Sequence, residues 1–100
     1  MDLIKREHHI ALFDVYKELL TTKQQEYFLM YYYDDLTLSE IAEIKNVSRN
    51  AVFDQIKKVL AILDEYESKI KIFQKNLALE VFSNKLSLEL KNELLSIIKE

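Results

Sequence analysis

Glycine, proline, cysteine and tryptophan are all absent from this 100-residue chain. Without glycine, no backbone segment can approach a pyrophosphate closely or pass through the left-handed region at no steric cost. Rossmann, P-loop and kinase-type nucleotide loops are therefore excluded, as are glycine-dependent hairpin turns. Without cysteine there is no disulfide, thiolate zinc site or cysteine nucleophile, and nothing favours an oxidising compartment. A cytoplasmic protein is the expectation. Long apolar runs are missing too. The longest uncharged stretch, Tyr27 to Tyr33, holds seven residues, against roughly 20 for a helix that spans a bilayer. Asp2, Lys5, Arg6 and Glu7 leave no apolar signal core at the N-terminus.

The residues that are present have globular composition, 49% hydrophobic and 31% charged, enough apolar surface for one domain with a small core. The net charge of −3 argues against a uniformly basic nucleic-acid coat protein. It is unevenly spread. Residues 1–36 carry four basic and seven acidic side chains, residues 37–60 four and three, and residues 61–100 six and seven. Only the middle segment has a positive balance.

In a chain with no glycine or proline, capping residues and apolar period mark the elements. Ile4, His8, Leu12, Val15 and Leu19 recur at spacings of three and four and predict an amphipathic helix over residues 2–20. Thr22 with Gln25 forms a capping box for a second helix, about Lys23 to Tyr33, ended by Asp34 and Asp35. Thr37 and Glu40 make another box, with Leu36 and Ile41 as its hydrophobic staple, for a short helix reaching about Lys45. Asn46 stands where a left-handed residue is needed, and Ser48 caps the next helix with Val47 and Val52 as a second staple. From Val52 through Ile56, Val59, Leu63, Tyr66, Ile70 and Phe73 to Leu77 the spacing alternates four and three, a heptad seam. It predicts one helix from Arg49 to about Phe82, roughly 50 Å long at 1.5 Å per residue. Ser87 caps a last helix, giving five helices and no strand.

The segment from Leu36 to Val52 carries the functional signal. A helix-turn-helix needs a small residue where its helices touch, a sharp turn about four residues later, and apolar residues that lock the second helix. Ala42, Asn46, Val47 with Val52, and Ile56 fill those roles. Ser39-Glu40-Ile41-Ala42-Glu43 followed by Val47-Ser48-Arg49-Asn50-Ala51-Val52 resembles the helix-turn-helix of sigma-factor region four. Leu19-Leu20-Thr21, Lys23-Gln24-Gln25, Tyr31-Tyr32, Asp34-Asp35-Leu36-Thr37-Leu38, Ile56-Lys57-Lys58 and Glu65-Tyr66-Glu67 make the wider pattern similar to the YlxM-like family of small bacterial proteins. The likeness covers about residues 10–75. It implies an all-α, sigma-like DNA-binding fold and a regulatory role in the signal recognition particle pathway. Sigma-type motifs usually have Leu and Gly at the positions of Lys45 and Asn46 and a basic residue at that of Phe53.

With Val52, Ile56 and Val59 as the buried edge, 100° per residue turns Asn50, Asp54, Lys57 and Ala61 outward, flanked by Phe53 and Lys58. Ser48 and Arg49 sit at the helix N-terminus, where backbone N–H groups and the dipole favour a phosphate. Asn50 suits an adenine edge and Phe53 a thymine methyl, while Lys57 and Lys58 suit phosphates. Asp54 suits cytosine N4 yet repels the backbone. The expected nucleic-acid contacts are thus Ser48, Arg49, Asn50, Phe53, Asp54, Lys57 and Lys58. The bland alternative is a trihelical core whose outward face is merely solvated.

His8 with His9 lacks a third ligand at helical spacing, and Asp34 with Asp35 reads as a solvated turn. The tyrosine-rich stretch reads as core rather than as a base-stacking platform, and no triad is placed. No enzyme, metal or cofactor is expected. Residues 1–60 read as the helix-turn-helix part of one compact domain and residues 61–100 as an extension that dimerises, since a rod of that length outruns what the small bundle can cover. The alternative function is an adaptor that does not bind DNA and contacts a signal recognition particle protein or RNA.

Overall fold

The computed structural model describes residues 3–99, and every regular element among them is helical. Asp2, the expected start of the first helix, lies outside the described residues, as does the side chain of Ile4. Six α-helices follow in order: α1 Leu3–Tyr16, α2 Thr22–Phe28, α3 Leu38–Lys45, α4 Arg49–Ile70, α5 Ile72–Ser83 and α6 Leu88–Lys99. A 3₁₀ turn, Lys17–Leu19, closes α1, and a π turn, Leu29–Tyr33, continues α2.

The core lies where α1, α2 and α3 converge on the first half of α4. It is built from Leu12, Phe13, Tyr16, Leu20, Tyr27, Phe28, Tyr32, Ile41, Val52, Ile56, Val59 and Leu63. The inward stripe of α1 differs from the expected one: Val15 is half-buried and Leu19 is 54% exposed, while Phe13, Tyr16 and Leu20 are buried. The aromatic cluster explains the rotation. Phe13 stacks on Phe28 at 4.2 Å and Phe28 on Tyr32 at 4.5 Å, so burying three rings outweighs the thinner Ile/Leu/Val stripe.

Capping chemistry places the boundaries. Thr21, one residue before the expected cap, accepts from Gln24 N–H at 3.1 Å, and the Gln24 carboxamide oxygen accepts from Thr21 N–H at 2.9 Å. Thr-Thr-Lys-Gln-Gln offers both registers. The observed one frees the Gln25 amide to donate to the carbonyls of Lys17 and Leu20 at the end of the 3₁₀ turn. The Thr37–Glu40 box forms as expected, with both bonds at 3.1 Å. Asn46 takes φ 54°, ψ 49°, and Val47 N–H donates to the Ala42 carbonyl. Ser48 caps α4 by accepting from Ala51 N–H, and Ser87 caps α6 by accepting from Leu90 N–H.

The rod expected from Arg49 to about Phe82 is broken. α4 ends at Ile70, Lys71 takes φ 60°, ψ 29°, and α5 leaves in a new direction. A polar knot holds the break. The Tyr16 hydroxyl donates to Glu67 Oε1 at 2.6 Å and accepts from Ile72 N–H at 3.0 Å. The same carboxylate accepts from Phe73 and Gln74 N–H at 3.2 and 3.1 Å, satisfying the first donors of α5. Burial and the Glu67 carboxylate both raise the pKa of the Tyr16 phenol. The heptad seam therefore splits. Val52, Ile56, Val59 and Leu63 are buried, whereas Ile70 is 39% and Leu77 50% exposed. The α5–α6 hairpin extends the molecule to 53 × 25 × 25 Å, with a radius of gyration of 16.5 Å against about 13 Å for a compact 100-residue domain.

Candidate nucleic-acid interface

The helix-turn-helix is made by α3, the Asn46 turn and the first two turns of α4. Ile41 and Ala42 bring α3 onto α4, and Val52, Ile56 and Val59 anchor the inner edge of α4 in the core. This anchoring turns the opposite edge outward, and the left-handed Asn46 sets the direction in which α4 leaves. Among ordinary residues Asn is the one whose short polar side chain best tolerates that conformation.

Arg49, Asn50, Phe53, Asp54, Lys57 and Lys58 are all exposed. Asn50, Asp54 and Lys57 form one row at spacings of four and three, with Phe53 and Lys58 on its two sides. The Lys57 ammonium lies 5.8 Å from the centroid of the Phe53 ring, which is 48% exposed. Ser48 is exposed as well, but its hydroxyl oxygen already accepts the Ala51 N–H. No carboxylate within 4 Å pairs with Arg49, Lys57 or Lys58 among the described residues. Lys45, the other cation of this segment, is held by Glu26 and lies over the Tyr27 ring. Against Asp54, the flank thus presents three cations to one anion.

Two adjoining depressions border this flank, joining the expected Arg49, Phe53 and Lys57 to residues that the sequence reading did not place at the site, among them Arg6, Tyr31, Leu38 and Leu60. The inner one, about 100 Å³, is lined by Tyr31, Leu38, Phe53, Ile56, Lys57 and Leu60. The outer one, about 380 Å³, shares Tyr31 and Leu38 and extends past Leu36 and Thr37 to Arg6, Asp35 and Arg49. Arg6 ties α1 to the end of the π turn along this wall, donating to the Tyr32 carbonyl at 2.7 Å and to Asp35 at 3.0 Å. No local pattern signals the cleft, because its lining comes from α1, the π turn, α3 and α4 together.

The remaining motifs make contacts within the fold. His9 Nε2 lies 3.0 Å from Asp64 Oδ1, and His8 sets its ring edge-on to Phe73. Asp34 closes the π turn through its N–H to the Leu29 carbonyl, and Asp35 supplies the left-handed residue that ends it. Tyr27 and Tyr32 are buried and Tyr31 half-buried, while Tyr33 is 49% exposed. No described helix is long and apolar enough to cross a membrane.

A family profile, UPF0122, described as "Putative helix-turn-helix protein, YlxM / p13 like", matches residues 3–100. It extends through α5 and α6, beyond the segment about 10–75 in which the motifs resemble that family. A UPF0122 protein of Ureaplasma urealyticum serovar 10 is 51% identical over 72 residues, 72% of this chain and 73% of the relative. One of Bacillus velezensis is 49% identical over 75 residues, 75% and 68% of the two chains. One of Bacillus thuringiensis is 56% identical over 64 residues, 64% and 58%.

Proposed function

We propose, on the premise that this chain belongs to the YlxM / p13-like helix-turn-helix family UPF0122, that it is a non-enzymatic, DNA-binding regulator of the cytoplasm. The observation that carries the reading is the outward flank of α4. Its three cations have no carboxylate within 4 Å among the described residues, its Asn50 is exposed, and the edge opposite is locked in the core. Arg49, Lys57 and Lys58 neutralise phosphates, with the Ser48-capped N-terminus of α4 adding oriented N–H groups. Asn50 and Asp54 read base edges, and Phe53 meets a thymine methyl. Residues 61–100 serve as the dimerisation extension, so that two copies present two α4 flanks to successive major grooves about 34 Å apart.

Duplex affinity measured against salt tests this. The log–log plot should be steep, and the Lys57→Ala, Lys58→Ala double variant should reduce its slope by about 2, one per lost phosphate contact. Binding that ignores salt, or none, overturns the reading. The exposed apolar surface of α5 and α6 favours a second one, an adaptor that contacts a signal recognition particle protein or its RNA. Retention of such a component by a chain that binds no duplex would select it.

A further inference from the structure

We propose that the cleft beside the α4 flank docks a short acidic segment of a partner protein, anchored by one leucine-sized side chain. The inner depression is lined by Tyr31, Leu38, Phe53, Ile56, Leu60 and the stem of Lys57. Of these, only the Tyr31 hydroxyl and the Lys57 ammonium are polar. A nucleobase entering it would leave its hydrogen-bonding edges with almost no partner, a loss that an aliphatic side chain avoids. Size agrees. An apolar cavity of about 150 Å³ accepts benzene, so about 100 Å³ suits a leucine, while a thymine methyl fills only a fraction.

Charge selects what flanks the anchor. Lys57 stands at the inner depression and Arg49 at the outer one, and neither has a carboxylate within 4 Å among the described residues. The one pair on this wall, Arg6 with Asp35, is already matched. An extended segment running from the inner pocket along Leu36 and Thr37 therefore meets two open cations and one neutralised pair. That is complementary to carboxylates on both sides of an apolar anchor. Phe53 and Lys57 belong to this cleft and to the flank assigned above to DNA, so the segment and a duplex exclude one another. The docking itself stands whether or not the duplex binds.

The test is fluorescence anisotropy on the full chain with a labelled heptapeptide of Asp and Glu around one central Leu, and its Ser-centred twin. The Leu peptide should bind at least tenfold more tightly, about 1.4 kcal/mol. Leu60→Trp, which fills the inner depression, should abolish that preference, and so should Phe53→Ser, at an exposed position where folding is not at stake. Equal binding of the two peptides, or binding of neither, overturns the proposal. So does a preference for Leu that survives both variants. An oligothymidine whose binding falls with Leu60→Trp, where the Leu peptide shows none, would give the pocket to nucleobases instead.

Discussion

Tyr16 shows how much one side chain can coordinate. Its ring is buried in the core, and its hydroxyl joins Glu67 on α4 to the first N–H of α5. Tyr16→Phe keeps the ring and removes two hydrogen bonds, leaving the Ile72 N–H unpaired. The expected loss is about 1–2 kcal/mol in urea unfolding. The same residue predicts a pH dependence. Burial raises the phenol pKa of Tyr16, and of Tyr32, above the free value of 10.0, so the folded chain holds those protons more tightly than the unfolded one. That contribution is complete below pH 10 and is lost as pH climbs through the folded-state pKa values. Stability should thus fall on the alkaline side, less steeply for Tyr16→Phe, and parallel alkaline profiles would refute the assignment. Asn46 is the counterpart at the turn, where left-handed backbone falls on the residue chemically suited to it.

At the scale of elements, the break between α4 and α5 is the instructive case. A heptad seam runs through it, and Lys71 has helical propensity as good as its neighbours. Nevertheless Lys71 is left-handed, at a cost of about 1–2 kcal/mol for a residue with a Cβ. Four hydrogen bonds in the Tyr16–Glu67 knot, together with packing of Phe73 against the core, offset that cost. The sign of one substitution distinguishes bent from straight. Lys71→Gly relieves the strain and should raise stability by about 0.5 kcal/mol after its unfolded-state entropy is counted. In an uninterrupted helix the same change would lower it by about 1 kcal/mol. Thermal melts of the two proteins decide it.

For the molecule as a whole, the α5–α6 hairpin is the feature that a single chain leaves unfinished. α5 has only Lys75 and Glu80 as charged residues, and a helix apolar on nearly all sides is ordinarily enclosed. Here Leu77, Leu79, Val81 and Phe82 are each 41–61% exposed, and Leu88 across the turn is 75% exposed. A second copy offers the same surface and would cover it isologously. Sedimentation at tens of micromolar should then give twice the 11.9 kDa chain mass, and Val81→Asp with Leu88→Asp should return it to one. Both positions are exposed, so circular dichroism should be unchanged. Leu63, on the seam, is no probe of pairing because it is fully buried in the core. A wild-type species of single-chain mass would end the dimer reading.

Local chemistry was enough for an all-helical chain, for the caps at Thr37, Ser48 and Ser87, for the left-handed Asn46, and for the helix-turn-helix between them. Each of these is decided within a few residues, by side-chain oxygens meeting orphan N–H groups and by apolar spacing. The outward residues of α4 followed in the same way, since a helix with one edge buried has no freedom about the other. Three things waited for the folded chain: which face of α1 turns inward, where the heptad rod bends, and the cleft beneath Phe53. All depend on groups far apart in sequence. Phe13 meets Phe28, Tyr16 meets Glu67 and Ile72, and Tyr31 and Leu60 line one depression, and no periodicity within one helix records what stands on the far side of a core.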